Sequence, residues 1–201
     1  IELVSINENL MDKIFKHSVK KTKPFFSLSS KITGESHKSK IKKIENFLKL
    51  NNADYLFVSA PENVAWLLNI RGYDSPTSPI PNSHIIIGKN KQLFFFTKEN
   101  CTQKIIKEKR INKKQVIYFH NFKKLIKELK GSNFITDNRS CSIFYERIIK
   151  SKFKIINKED PIYRLKSIKN PSEIKHMIEA HKKDGLALTK FIYWIKNVNK
   201  K

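Results

Sequence analysis

Three short stretches of this chain are apolar at every position: Tyr55-Leu56-Phe57-Val58, Ile85-Ile86-Ile87 and Leu93-Phe94-Phe95-Phe96. A strand with one wet face alternates apolar and polar residues, whereas an unbroken apolar run has to be covered on both faces. Helices are then required on either side of the sheet, so an α/β layered domain is expected. Gly88-Lys89-Asn90, between the last two runs, has the chemistry of a hairpin turn. That turn imposes one antiparallel pair and makes the sheet mixed.

Beyond the hairpin, helical and extended patterns alternate. Helices are predicted over 99–109, 122–129 and 143–149, and strands over 116–119, 134–136 and 153–156. Upstream, Ile41, Ile44, Phe47 and Leu48 share one face of a helix within 35–50, with lysines opposite and Asn51-Asn52 as its stop. Pro61 suits the first turn of a helix through Val64, Trp66 and Leu67. Residues 72–82 carry Pro76, Pro79 and Pro81 and are predicted to be a loop. Residues 1–34 show no strong period apart from a short helix over 9–15, and read as a connector. Asn170-Pro171-Ser172-Glu173 combines an N-cap, a first-turn proline and a capping-box glutamate. The long helix that follows, through Ile174, Met177, Ile178, Leu188, Phe191, Ile192 and Ile195, has an apolar stripe with too little partner surface in this chain. Three parts are therefore expected: a connector (1–34), a middle domain (35–167) and the first helix of a further domain (168–201). The chain starts at Ile1 and stops in a lysine-rich helix, so both ends are expected to be cut.

Composition narrows the function classes. Hydrophobic residues make up 39%, including 14 Phe, enough for a sizeable core. No apolar run approaches the ~20 residues that span a bilayer, and no signal-peptide pattern is present, so no membrane role is expected. Cys101 and Cys141 stand far apart without metal or redox spacing, and are expected as free thiols in a reducing, cytoplasmic setting. The net charge of +23 could supply a phosphate-neutralising surface. Its lysines, however, are spread along the whole chain, and arginine, the better phosphate ligand, is scarce. No specific nucleic-acid partner is expected; a stand-alone basic binding module is kept as the second reading.

A search for reactive constellations yields neither catalytic residues nor a metal-ligand set. HExxH, CxxC, GxGxxG and P-loop patterns are missing, and no serine sits in a nucleophile elbow. His176 and His181, five apart on a helix, are splayed by roughly 140°. One stretch stands out: Trp66-Leu67-Leu68-Asn69-Ile70-Arg71-Gly72-Tyr73-Asp74. It places Asn, Arg, Tyr and Asp at a helix-to-loop junction. It reads either as a structural loop, with Arg71 paired to Asp74 and Gly72 at positive φ, or as a binding edge.

Residues 62–74 resemble the "IAWLxNLRGxD" signature of three-domain Xaa-Pro aminopeptidases (aminopeptidase P). Glu8–Ile14 is similar to the connector after that family's first domain, and Thr33-Gly34-Glu35-Ser36 to the entry of its middle domain. Residues 168–174 and 180–185 resemble the opening of its catalytic domain. The resemblance implies a creatinase/prolidase N-terminal fold, a mixed sheet of about six strands flanked by helices. It implies an intact enzyme that removes an N-terminal residue preceding proline, and is often a homo-oligomer. It further implies two divalent metals, often manganese, held by two Asp, one His and two Glu of a catalytic domain outside these residues. No cofactor is expected in the present chain. Asn69, Arg71, Tyr73 and Asp74 become candidates for the mouth of the substrate site.

Overall fold

The computed structural model describes residues 10–14 and 23–198. In chain order the elements are α1 (Leu10–Ile14), β1 (Phe26–Ser27), α2 (Ser30–Thr33), α3 (His37–Leu50), β2 (Tyr55–Val58) and α4 (Pro61–Leu68). Next come β3 (Ile70–Arg71), β4 (Ser83–Gly88), β5 (Leu93–Thr97), α5 (Gln103–Lys107), β6 (Val116–Tyr118) and α6 (Phe122–Glu128). The last are β7 (Asn133–Thr136), α7 (Ile143–Lys150), β8 (Lys154–Asn157), α8 (Pro161–Ser167) and α9 (Pro171–Asn197).

Six strands form one mixed sheet in the order β6-β5-β4-β2-β7-β8. β4 runs antiparallel to both β2 and β5, while β2–β7, β7–β8 and β5–β6 are parallel. The expected α/β class, the mixed sheet and its six strands are all present. Every residue of β2 is buried, as an unbroken apolar run requires. Leu56 and Val58 join Ile85, Ile87 and Phe95 on one face, under Ile44 and Leu48 of α3, Val64 and Leu67 of α4 and Ile162 of α8. Tyr55 and Phe57 join Ile86, Phe96 and Phe134 on the other, under Phe122 and Ile126 of α6 and Ile149 of α7.

Several expectations are revised. Phe25, within the stretch read as a connector, is wholly buried in the main core, and β1 pairs antiparallel with β3. A two-residue strand carries too short a pattern to be legible. The helix expected over 99–109 is limited to Gln103–Lys107, and α2 and α8 were not expected. Of the helix expected over 9–15, residues 9 and 15 lie outside the described residues, as do residues 8 and 17. Cys101 and Cys141 are both buried, and their Sγ atoms donate to Glu99 O (3.4 Å) and Ser142 O (3.5 Å) respectively. No helix among the described residues is long and apolar enough to cross a membrane.

His84 sits on β4 inside an aromatic box, its ring 5.6 Å from Phe57, 5.3 Å from Phe119 and 5.1 Å from Tyr145. Its Nδ1 is buried without a partner, and burial lowers its pKa. His37 is lowered too, to about 4, by burial and then by Arg110. A base whose folded pKa is depressed contributes stability that is present above its unfolded value, about 6.5, and is lost as pH falls through the folded value. We therefore expect the melting temperature to drop between pH 7 and pH 5. His84→Phe, which keeps the ring contacts and removes the unpartnered nitrogen, should narrow that drop. Equal pH sensitivity of the two proteins in thermal melts would exclude this account.

Candidate functional site

The predicted stretch Trp66–Asp74 spans the end of α4, strand β3 and the start of the proline-rich loop. Asn69 caps α4 in the left-handed region at φ 54° and is 1% exposed. Asparagine tolerates that conformation better than other non-glycine residues. Both ends of its amide are engaged: Nδ2 donates to Glu35 O (2.8 Å), and Oδ1 accepts from Lys40 Nζ (2.8 Å). The same ammonium donates to Trp66 O (2.9 Å) and lies 3.7 Å from the centre of the Trp66 ring.

Lys40 was expected on the lysine face of α3. It is instead 1% exposed, because it lies four residues before Ile44 and eight before Leu48, along the edge of the apolar stripe. Burial, acting first, pulls its pKa down to about 8, while Glu173 and Glu35 push back upward. A buried ammonium persists only with close partners of this kind.

Trp66 is half-buried rather than sealed in the core. Its indole Nε1 donates to Glu173 Oε1 (3.3 Å) on the first turn of α9. Glu173 also closes the capping box: its Oε2 accepts from Asn170 N (3.0 Å), and its own N–H donates to Asn170 Oδ1 (3.0 Å). Asn170 in turn donates from Nδ2 to Thr33 O (2.8 Å). Gly34, at φ 71°, makes room for this: a Cβ there would lie 2.1 Å from Asn170 Oδ1. Three separated segments (33–36, 66–71 and 170–173) thus meet at one joint.

A cleft of about 380 Å³ opens at this joint. Leu28, Ile32 and Met177 give it apolar walls; Asn69, Arg71, Glu173 and His176 also line it. Arg71 Nη1 donates to Ile70 O (2.8 Å) and Ala65 O (3.4 Å). Among the described residues no carboxylate pairs with it, so the Arg71–Asp74 ion pair considered from the sequence does not form. Burial lowers the Arg71 pKa, yet a guanidinium stays charged at any physiological pH.

Tyr73 and Asp74 lie outside the cleft. The Tyr73 ring is exposed, 5.4 Å from Phe26 and 5.3 Å from Lys23 Nζ. Asp74 Oδ2 accepts from Asn82 N (2.7 Å) and ties together the two ends of the proline loop. Gly72 is not at positive φ, as the sequence suggested; a Cβ there would meet Pro81 Cα at 2.7 Å, so its lack of a side chain serves close backbone approach. Of the four candidates, the fold brings Asn69 and Arg71 to the cleft, Asn69 as a wall residue whose amide is tied to Glu35 and Lys40. Sequence reasoning missed Lys40, Glu173 and His176 as cleft residues. The position of Lys40 beside an apolar stripe was the available signal.

The lining of the cleft holds no base-activated nucleophile. No group of three or more His, Cys, Asp or Glu among the described residues could hold a metal ion. The two-metal centre implied by the resemblance was expected in a catalytic domain outside these residues, and nothing in this cleft stands in for it.

The profile of the Creatinase/Prolidase N-terminal domain matches residues 17–173, most of the chain. The chain belongs to this family. Similar proteins include "Xaa-Pro aminopeptidase 1" of Dictyostelium discoideum, 32% identical over 94% of this chain and 31% of the relative. "Xaa-Pro aminopeptidase ApepP" of Drosophila melanogaster is 27% identical over 99% of this chain and 33% of the relative. The fold matches, with a TM-score of 0.78 and 21% identity over 96% of this chain and 33% of the other, a crystal structure from Caenorhabditis elegans. That protein is an X-prolyl aminopeptidase described as "a cytosolic enzyme with a di-nuclear active site". The chain spans about a third of the length of these curated relatives.

For this creatinase/prolidase N-terminal domain, the joint yields a direct expectation. Gly34→Ala forces a side chain into the left-handed region, at about 1–2 kcal/mol, and displaces the Asn170 cap, at about 1 kcal/mol. Hydrogen exchange should show the first turn of α9 opening sooner than in the parent, with the sheet amides little changed. Unchanged protection at residues 172–174 would show that the joint does not hold α9.

Proposed function

We propose that this chain is the non-catalytic middle domain of an Xaa-Pro aminopeptidase, residues 35–167, followed from residue 168 by the first helix of its catalytic domain. Residues 1–34 lead in from a first domain, with those from Phe25 onward built into the middle domain itself. The observation that carries the reading is the joint, in which Trp66 and Gly34 of one part grip Glu173 and Asn170 of the other. A domain with this construction sets the direction in which the following domain leaves. The intact enzyme would remove the residue preceding proline at a peptide N-terminus. It would use two divalent metals, manganese-like, in the catalytic domain, and work in the cytoplasm as a homo-oligomer. The names of the relatives and the fold of the C. elegans enzyme support this reading. The stand-alone basic module draws no support from relatives that are named as aminopeptidases.

Within this reading Arg71 belongs to the substrate mouth. It lines the joint cleft with no carboxylate partner among the described residues, and its fork suits a carbonyl or carboxylate. Tyr73 and Asp74 shape the loop beside it. In the full-length protein, Arg71→Lys should lower kcat/KM on Xaa-Pro peptides by about 10-fold or more, a loss of about 1.4 kcal/mol. The melting temperature should stay within about 2 °C of the parent, a shift worth well under 1 kcal/mol. Lower stability with unchanged kcat/KM would reduce Arg71 to a structural residue.

A further inference from the structure

A second cleft, of about 450 Å³, lies between the start of α3, the β4–β5 turn and the segment after α5, apart from the joint. Lysine is common all over this surface, so lysines alone distinguish nothing. What sets the cleft apart is Arg110. Half-buried, it donates from Nη2 to Leu28 O (2.8 Å), and its Nη1 lies 3.0 Å from His37 Nδ1. Its Nε is buried without a partner. Among the described residues no carboxylate pairs with it. A partly desolvated charge with no counter-ion is costly unless an anion arrives. His37 cannot serve: it is held neutral, its pKa lowered to about 4, and it acts as acceptor to the guanidinium.

The surroundings reinforce that charge from three separate elements. Lys38 and Lys42 come from the first turns of α3, whose N-terminal dipole also favours an anion. Lys91 comes from the β4–β5 turn, and Lys109 follows α5. Both are in the left-handed region, at φ 61° and 54°. Lys109 occupies the position after the helix cap, where Lys109 N donates to Ile106 O and Arg110 N to Ile105 O, both at 2.9 Å. Glycine is the unstrained choice there. Glu45 is the one acid among the described lining residues. Ile41, Leu93 and Ile111 give the cleft an apolar floor, and its size falls in the range of small-molecule sites, roughly 300–1,000 Å³.

We propose that this cleft binds a phosphate-bearing small molecule, its phosphate on Arg110 and Lys109 and its apolar body on the Ile41–Leu93–Ile111 floor. Guanidinium and several ammonium groups from different elements suit a compact dianion, and the floor suits a ring or base attached to it.

The test is calorimetric titration of the full-length protein at fixed ionic strength with adenosine monophosphate, inorganic phosphate and adenosine. Adenosine monophosphate should bind saturably with one-site stoichiometry, about 10-fold or more tighter than phosphate alone, and adenosine should not bind. Arg110→Gln should weaken that binding at least about 10-fold. Because Arg110 also holds Leu28 and His37, Lys109→Gly is the second variant: it relieves the backbone, cannot fail to fold on that account, and should weaken binding by a similar factor. The proposal is overturned by heat that does not saturate or that matches added sodium chloride. It is overturned equally by variants that bind as well as the parent. Tighter binding of a duplex oligonucleotide at the same salt would assign the cleft to nucleic acid instead.

Discussion

The ammonium of Lys40 holds the arrangement around the joint. Removing it from water is unfavourable, and the fold offsets this with two oxygen acceptors, the face of Trp66 and two nearby glutamates. Each partner is thereby fixed. Asn69 is held as the left-handed cap of α4, which sends the chain into β3 and aims Arg71 along the cleft. Trp66 is held flat against the ammonium, which leaves its indole N–H to reach Glu173. A neutral, shorter side chain at position 40 would leave Asn69 Oδ1 as a buried acceptor without a donor, at about 1–3 kcal/mol, and Trp66 O with only the long bond from Asn69 N (3.4 Å).

The sheet shows the same interdependence on a larger scale. β4 is antiparallel to both of its neighbours and lies between two sets of parallel strands. It therefore joins a local hairpin to pairings such as Tyr55–Phe134, which link distant parts of the chain. Its two faces go to different cores: Ile85 and Ile87 to the α3–α4 side, and Ile86 to the α6–α7 side. A one-residue slip would exchange them, so the hairpin turn and the two-sided core specify the same register.

Much of this was legible in the sequence because it rests on local signals. Unbroken apolar runs such as Tyr55–Val58 announce strands covered on both faces, and Asn170-Pro171-Ser172-Glu173 announces a helix start whose capping box is formed as expected. What escaped depends on partners far along the chain. β1 is two residues long and has meaning only beside β3. Lys40 looks like any surface lysine until Trp66 and Asn69, 26 and 29 residues away, are in place. Gly34 looks like an ordinary turn glycine until Asn170 arrives against it. At the site, the signature around Arg71 was visible as a cluster of residue types. Its division into cleft residues (Asn69, Arg71) and loop-shaping residues (Tyr73, Asp74) was not, because it depends on which way β3 leaves α4.

α9 runs for 27 residues from the joint, and none of its described side chains is buried. At 1.5 Å per residue it is a rod of about 40 Å held at one end. Such a rod is a lever: a tilt of about 5° at its cap sweeps the far tip through about 3.5 Å, by simple trigonometry on that length. The angular stiffness of the clamp formed by Gly34, Asn170, Trp66 and Glu173 therefore sets how accurately anything carried beyond Asn197 can be aimed. The double capping of that first turn, within the helix and across to Thr33 and Trp66, puts the greatest rigidity at the fulcrum, where a lever needs it most.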